Sequence, residues 1–523
     1  MPEGVSLALV QCPGWGRECP PTALACLSAY ARREGFGVAC FDLNNSLRER
    51  APELRAMWDD KDQYSFWENP SQLEELLRRG GGLVDEFVDK VLATGARFIG
   101  FSTHTTSYLV SLELARRLKK KDPACVILFG GPQCARSQAA LRFAEEPCVD
   151  AVVVGEGEQT LVEILRGGLK PMPGLVLRWE GRVRDCGDCE PIADLDSLPL
   201  PDYSDFAEDM RAGRYNSPAR LDIFESRGCV RSCHFCSEWQ FWRSFRAMSG
   251  ERMFAEASAQ VLRYPRVNRF YFIGSLVNGS IGSLERFCDL VIASDLRIRW
   301  QGQAIVNPAM DDRLLGKMAR AGCEWLGFGI ESGSEDLRAR MNKKFTNENA
   351  FATLRAAHRA GIRAQINVMF GLPTETRRDF EETLRFLARV RPHIETVLAS
   401  QSFAVIDKGT APHAHPERFG VSDQDHHLYW TSNEGENDYA ERSRRYEEFC
   451  RVAIALGVPE VSGVLREKPD KWRLLGEHAL YRRDWRGAVR ALRRALRREP
   501  GDEGLRAGLA RAREELRPAA AAA

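Results

Sequence analysis

Five short apolar runs, SLALVQ, GVACFD, RFIGFS, CVILFGG and AVVVGEG, recur between residue 6 and about residue 166, each ending in small or polar residues and followed by a helix-like stretch. Strands that are apolar on both faces must be covered on both. A strand–helix alternation does this by winding helices onto the two sides of a parallel sheet. The first third of the chain is therefore expected to be a Rossmann-like, doubly wound α/β domain. Ligands of such sheets lie beyond the carboxyl ends of the strands, which singles out loops 11–21, 42–45, 102–107, 130–133 and 155–160. Residues 52–93 interrupt the pattern with Trp58, Tyr64, Phe66 and Trp67. They read as an aromatic helical pair packed on the sheet or as a cap over a ligand.

A Pro-, Asp- and Gly-rich stretch ending in DLDSLPLPDY reads as a hairpin and then a linker. A second alternation follows, with strands LDIFESRG, RFYFIGS, IRWQGQA, WLGFGIES, AQINVMFGLP and TVLASQSFAV. Six β/α units in series imply a barrel, complete or partial, with its chemistry at the strands' carboxyl ends. The next segment is polar and His-rich, and no fold is imposed on it. Near the end, Trp472, Leu475, Gly476, Ala488, Ala495 and Pro500 fall at the spacing of a tetratricopeptide repeat. One such repeat cannot bury its own face, so it is expected to pack on the barrel or on a partner. The expected boundaries are 1–167, 168–215 (hairpin and linker), 216–406 (barrel), 407–462 (tail or lid), 463–516 (helical, TPR-like) and 517–523 (disordered tail).

Composition narrows the function. With 74 Lys and Arg against 73 Asp and Glu in 523 residues, the chain lacks the basic surplus that phosphate-binding proteins carry, and nucleic acid is not expected as a partner. No apolar run is long enough to span a bilayer, and the N-terminus does not resemble a signal peptide. A soluble, cytoplasmic protein is expected, in which the 15 cysteines bind metal or fill cores rather than form disulfides.

Three of them stand apart. Cys229, Cys233 and Cys236, in ESRGCVRSCHFC, follow the first barrel strand. Three thiolates so spaced on one loop can reach three corners of a [4Fe-4S] cubane and leave the fourth iron open. Chance clustering, or a zinc ion bound with His234 or another residue, is the alternative. With this motif in place, residues 221–406 resemble the radical S-adenosylmethionine (SAM) enzymes. YFIGSLVN, GFGIESGSEDLRARMNKKFT and INVMFGLPTET appear in the family's order. The resemblance implies that the cluster cleaves SAM to methionine and a 5′-deoxyadenosyl radical, supplied with electrons by a donor such as flavodoxin or ferredoxin. It points to Phe235, Gly274, Ser275, Glu331, Ser332, Gly371, Leu372 and Pro373 as SAM-binding residues. For Phe235 a packing role, for Ser332 a helix cap before Glu335, and for the Gly-Leu-Pro segment an ordinary turn remain open.

The first domain resembles the cobalamin-binding domain of cobalamin-dependent radical SAM enzymes, through CPGWGRECPPTALACLSAYARREGFGVACFDLN, LFGGPQ and VVVGEGEQT. This points to Pro13, Gly14, Ser102, Thr103, Gly130, Gly131, Pro132, Gln133, Gly155, Glu156, Gly157 and Glu158 as cobalamin-binding residues. The loop QCPGWGREC departs from the Asp-x-His-x-x-Gly motif of mutases and methionine synthases, so no cobalt-ligating histidine is expected there. His104, the only histidine of this domain, reads as a hydrogen-bonded loop residue.

Cys186 and Cys189 form a CGDC pair that suits a metal clip or redox exchange only weakly. His413, His415, His426 and His427, with Asp423 and Asp425, read as a lid near the barrel mouth or as a metal site, and Tyr429 and Trp430 as residues that could touch substrate from it. The resemblance implies methylation at an unactivated carbon or a phosphinate phosphorus of a small molecule, lipid or carrier-bound intermediate. A non-methylating radical reaction and a corrinoid scaffold that recruits a partner are the alternatives.

Overall fold

The computed structural model describes residues 4–14, 16–59, 67–400, 403–424, 426–462 and 471–516. Tyr64, Phe66, Asp425 and the tail 517–523 lie outside them. The chain divides into two compact units, one of residues 1–230, 238–303 and 320–324 and the other of the remainder.

The first unit contains a seven-stranded sheet. Strands β1 (Leu7–Gln11), β2 (Val38–Asp42), β3 (Phe98–Ser102), β4 (Val126–Gly130) and β5 (Ala151–Val153) take the parallel order β2-β1-β3-β4-β5. β1 and β3 are buried at every position, as expected for strands covered on both faces. The hairpin β6 (Leu175–Trp179) and β7 (Arg182–Asp185) continues the sheet antiparallel from β5, so the hairpin expected in the linker is part of the first domain's sheet. The interrupting segment packs as a helical layer. Trp58 and Trp67 meet edge to face at 5.5 Å in the core, and the Trp58 indole donates to Asn44 at 2.7 Å. Both therefore serve packing.

Three parallel strands follow in the same unit, apart from the last residue of the third: β8 (Arg220–Ile223), β11 (Arg269–Phe272) and β12 (Arg299–Ala304), with β11 between the other two. Phe272, Phe287 and Trp300 pack edge to face beneath them. A two-residue ladder, β9 (Ser226–Arg227) against β10 (Arg246–Ala247), brackets the cysteine loop.

From Trp325 onward β13 (Cys323–Glu331) belongs to the second unit, where it pairs in parallel with β14 (Arg363–Val368), and β14 with β15 (Thr396–Ala399). The segment read as a polar tail is folded. It forms a hairpin of β16 (Val421–Asp423) and β17 (Thr431–Ser432), the helix Tyr439–Ala455, and β18 (Glu460–Ser462), which pairs in parallel with β15. Trp430 is fully buried and donates to the Ala404 carbonyl at 3.0 Å. It belongs to the core, and the substrate contact considered for it is corrected. The terminal helices Lys471–Tyr481, Trp485–Arg498 and Glu503–Glu515 share an Ala- and Leu-rich core. A side chain at Gly476 would meet Leu492 at 2.5 Å, which explains the small residue at that crossing.

Candidate functional site

Two loops of the first unit converge through charge. Glu156 and Glu158 open the helix Gly157–Gly167 after β5, and Arg227 and Arg246 sit opposite each other in the β9–β10 ladder. The Arg227 guanidinium donates to Glu156 at 2.6 Å and pairs with Glu158, while Arg246 reaches the other oxygen of Glu156 at 2.5 Å. Glu156 also accepts from the Ile192 amide at 3.2 Å, and Arg246 donates to the Ile192 carbonyl at 2.7 Å. All four side chains are about nine-tenths buried or more. Burial works against the charge on Arg227, but Glu158 and Glu156 more than offset it and hold its pKa above the usual guanidinium value. The acidic residues of the GEGE string thus face arginines flanking the cysteine loop. What that string leaves to a ligand is backbone at Gly155 and Gly157.

Beside this network a cavity of about 230 Å³ opens at the carboxyl ends of β4 and β5, lined by residues 135–137, 154–156, 188, 189, 191 and 241–243. Gly155, at φ +84°, lines it, and a side chain there would lie 3.4 Å from the Cys189 sulfur. Phe241 and Trp242 wall one side, with their rings 4.7 Å apart edge to face. Arg136 and Arg243 both pair with Asp188 at the rim. Of the expected cobalamin residues, Gly155 and Glu156 line this cavity.

The others shape the neighbouring loops. A side chain at Gly131, φ +102°, would press within 2.8 Å of the Thr103 carbonyl, and one at Gly14, φ +96°, within 2.2 Å of the Thr106 carbonyl. Thr103 donates its amide to the Gly130 carbonyl, its own carbonyl accepts from the Gln133 amide, and the Gln133 side chain accepts from Thr105 at 2.7 Å. Ser102 is buried at the end of β3, Pro132 starts a 3-10 turn, and Pro13 lies beside Gly14. His104 is buried with its pKa pushed down to about 4 by desolvation, and its amide is received by the Ser107 hydroxyl. Cys186 and Cys189 are not bonded to each other. The Cys189 thiol donates to the Val154 and Glu156 carbonyls, and burial raises its pKa. These are the properties of an inert thiol.

Glu225, just past β8, was missed by sequence reasoning. It is 3% exposed, accepts the Gly274 amide at 2.9 Å with one oxygen, and among the described residues has no hydrogen-bond partner for the other. Burial pushes its pKa up to about 8, so it is largely a neutral acid at pH 7. In the unfolded chain this carboxyl ionises near its ordinary value of about 4.5, well below the folded value. Stability from the neutral form is therefore complete below about pH 4.5 and is lost progressively as pH rises toward about 8. Glu225→Gln should remove that loss, raising the urea midpoint at pH 8 by the equivalent of a few kcal/mol and leaving it nearly unchanged at pH 4.5. An equal shift at both pH values would refute the assignment. Nearby, Ser275 donates to Glu238 at 2.7 Å, and the Trp242 indole donates to the same oxygen at 2.8 Å.

In the second unit the end of β13 is bulged, and Glu331 adopts φ +63°, a conformation that non-glycine residues hold only when their surroundings impose it. Its carboxylate pairs with Lys343 at 2.9 Å, with each side chain 12% exposed. Burial opposes the Lys343 charge, yet Glu331 and the thiols of Cys233 and Cys236 raise its pKa above the ordinary lysine value. Its ammonium stands 5.7 Å over the Phe235 ring. The cysteine loop is braced from the same side. The His234 amide donates to the Met341 carbonyl, its ring nitrogen contacts the Arg340 carbonyl at 2.9 Å, and Asn342 donates to Ser232. His234 is thereby committed to backbone. Among the described residues, no group of three or more His, Cys, Asp or Glu side chains is drawn together as a metal site. The stacked His426 and His427 rings lie 4.6 Å apart, and burial and His427 push His426 down to about 4.

Ser332 is fully buried against Thr383 at 3.0 Å, and the cap of helix Glu335–Arg340 is Ser334, which corrects the capping role considered for Ser332. Gly371, at φ +74°, donates its amide to Glu375 at 2.7 Å. A side chain there would lie 2.0 Å from Arg442 Cδ. Leu372 and Pro373 are buried beside it, and Asn437 donates to the Leu372 carbonyl at 3.1 Å. The glycine is required by Arg442, which donates to the Leu428 and Trp430 carbonyls. Gly371→Ala should destabilise the fold by about 2–4 kcal/mol, from left-handed strain and overpacking together. Thermal unfolding measures this, and a loss below about 1 kcal/mol would show that the helix bearing Arg442 yields.

A model of the Radical SAM superfamily matches residues 224–387, and a model of the B12 binding domain matches residues 73–165. An uncharacterized methyltransferase of Pyrococcus horikoshii is 28% identical over 304 residues, covering 56% of this chain and 64% of that protein. The anaerobic magnesium-protoporphyrin IX monomethyl ester cyclase of Rubrivivax gelatinosus is 24% identical over 323 residues, covering 58% and 56%. The chain thus spans about three fifths of the length of these relatives. Among solved structures, the radical SAM methyltransferase TsrM from Kitasatospora setae superposes with a TM-score of 0.63 at 15% identity, covering 88% of this chain and 92% of that one. That likeness is one of fold.

The fold and the two matched domains define a class, an α/β protein that joins a B12-binding domain to a radical SAM domain. The chain thus carries a match to each of these two domain families, the B12 binding domain before the Radical SAM domain. A radical SAM domain implies a [4Fe-4S] cluster with SAM, and a B12 binding domain implies cobalamin.

Proposed function

We propose that this protein is a cytoplasmic methyltransferase that modifies an unactivated carbon, or a phosphinate phosphorus, of a small molecule, lipid or natural-product intermediate. The reading is carried by one observation: the GEGE loop of the B12-binding domain is joined by buried ion pairs to the ladder flanking the cysteine loop of the radical SAM domain.

Cys229, Cys233 and Cys236 are proposed to hold the cluster, and the donor set fits it. Thiolates are soft iron ligands, and the buried Lys343 ammonium offsets part of their charge. Phe235, Gly274, Ser275 and Glu331 are proposed to line the SAM site. Backbone at Gly155 and Gly157, with the aromatic wall of Phe241 and Trp242, is proposed to meet one edge of the corrinoid, since a cavity of about 230 Å³ is too small to enclose the whole group. Once bound, these groups supply a hydrogen-abstracting radical and a transferable methyl group, while the protein supplies position and dryness. Arg227 and Arg246 fix the two loops against each other. Trp242 and Phe241 exclude water from the cavity. Glu225 holds a proton at neutral pH at the end of β8. An external one-electron donor is proposed as a partner, and the terminal helices as a docking surface for another protein. Among the described residues no helix is long and apolar enough to cross a membrane.

The test is anaerobic turnover of the reconstituted protein with SAM and candidate substrates. Methylation predicts S-adenosylhomocysteine together with methylated product. The similarity to a protein named a cyclase supports a second reading, a radical reaction without methyl transfer, which predicts 5′-deoxyadenosine without S-adenosylhomocysteine.

A further inference from the structure

We propose that the groove between the helices Lys471–Tyr481 and Trp485–Arg498 binds an acidic, partly apolar peptide segment of a partner protein. The proposal deepens the partner reading above and is independent of the methyl-transfer reading.

The groove has a volume of about 670 Å³ and lies wholly in the second unit. Its charge is mostly positive, with five arginines against two aspartates among the lining residues. Arg490, Arg493, Arg494 and Arg497 line it from one helix and are all exposed. At about 100° per residue these positions fall on one stripe of the helix, and from the first to the last they extend about 10 Å along its axis. Arg494 lies flat over the Trp472 ring at 4.3 Å, and among the described residues no ion pair reaches Arg490, Arg493 or Arg497. Two carboxylates line the groove, and each is committed as a helix cap: Asp438 accepts the Glu441 amide at 2.8 Å and Asp484 the Gly487 amide at 2.9 Å. Like charges repeated at helical neighbour positions repel, and this row lacks the interspersed acids that would make it an ordinary solvated face.

The shape decides which anion fits. A single phosphate asks for donors converging on a point, whereas these guanidiniums form a row. The floor beneath them is apolar, made by Trp472, Leu475 and Ala491. A row of cations beside an apolar floor complements a peptide that presents carboxylates to one side and apolar side chains to the other.

The test uses the full-length protein and two short fluorescent peptides, one alternating Glu and Leu and the other Lys and Leu. By fluorescence polarisation the Glu–Leu peptide should bind and the Lys–Leu peptide should not. Binding should weaken about tenfold or more as salt rises from about 50 mM to about 300 mM. The triple variant R490E/R493E/R497E should lose binding by at least about tenfold while keeping its circular dichroism and melting temperature, since all three side chains are exposed. Trp472→Ala should weaken binding without changing the salt dependence. If the triple variant binds as well as the parent protein, or if a single-stranded oligonucleotide of equal charge binds as tightly as the Glu–Leu peptide, the proposal is overturned. Methyl-transfer activity on a free small molecule is read separately and is expected to be unchanged in the triple variant.

Discussion

Replacing Arg227 with methionine should lower the unfolding free energy by about 3–5 kcal/mol, because it strips the buried Glu158 of its paired cation and leaves the buried Glu156 with Arg246 alone. The figure is large because Glu156 and Glu158 are each less than a tenth exposed, and the pair that Arg246 makes is with Glu156. Urea denaturation of the reconstituted protein measures it. A companion variant that also carries Glu156→Gln and Glu158→Gln removes the stranded charges and should recover more than half of the loss. Recovery separates the cost of stranded charge from the cost of lost packing over Trp242, where the guanidinium stands 5.4 Å from the ring. A single variant less than about 1 kcal/mol below the parent would mean that water or loop movement relieves the carboxylates.

Cys233→Ala should abolish formation of 5′-deoxyadenosine to the background rate and remove most of the cluster's visible absorbance. Of the three proposed ligands this thiol is the most enclosed, at 8% exposure, and Lys343 stands in its field. Two remaining thiolates cannot hold a cubane with a single open iron. The variant should still bind cobalamin, because the cavity beside Gly155 contains none of the three cysteines. Retained cluster absorbance with near-parent SAM cleavage would remove Cys233 from the ligand set.

Much of the architecture was legible in the sequence because it depends on local patterning. Strands such as LALVQ and FIGFS are apolar at nearly every position and so announce a sheet covered on both sides. The GEGE string was also legible as a loop of consequence, but the role of its acids was not. Arg227 and Arg246 lie 71 and 90 positions beyond Glu156, and no periodicity links residues so far apart. Lys343 was hidden for the same reason: its partners are Glu331 at a strand end and a cysteine loop more than 100 residues earlier. Gly371 illustrates a different limit. The sequence marks a turn, but whether a glycine clears room for a ligand or for a neighbouring side chain depends on Arg442, which arrives from a helix in a segment too polar to read. In that segment Trp430 and Arg442 are buried together, the guanidinium 4.1 Å over the indole, and an arginine satisfied by backbone carbonyls looks no different in sequence from one facing water.

The ion pairs around Glu156 also bear on how such proteins can be recombined. A corrinoid domain cut away before β8 would keep the two glutamates that normally face Arg227 and Arg246 but lose both arginines, and the exposed cut would carry unbalanced acid where a neighbour used to be. This domain is therefore not a portable cassette. A functional exchange with a relative would have to carry the β9–β10 ladder along with it, so the exchangeable piece is the domain together with that ladder and the cysteine loop between its strands.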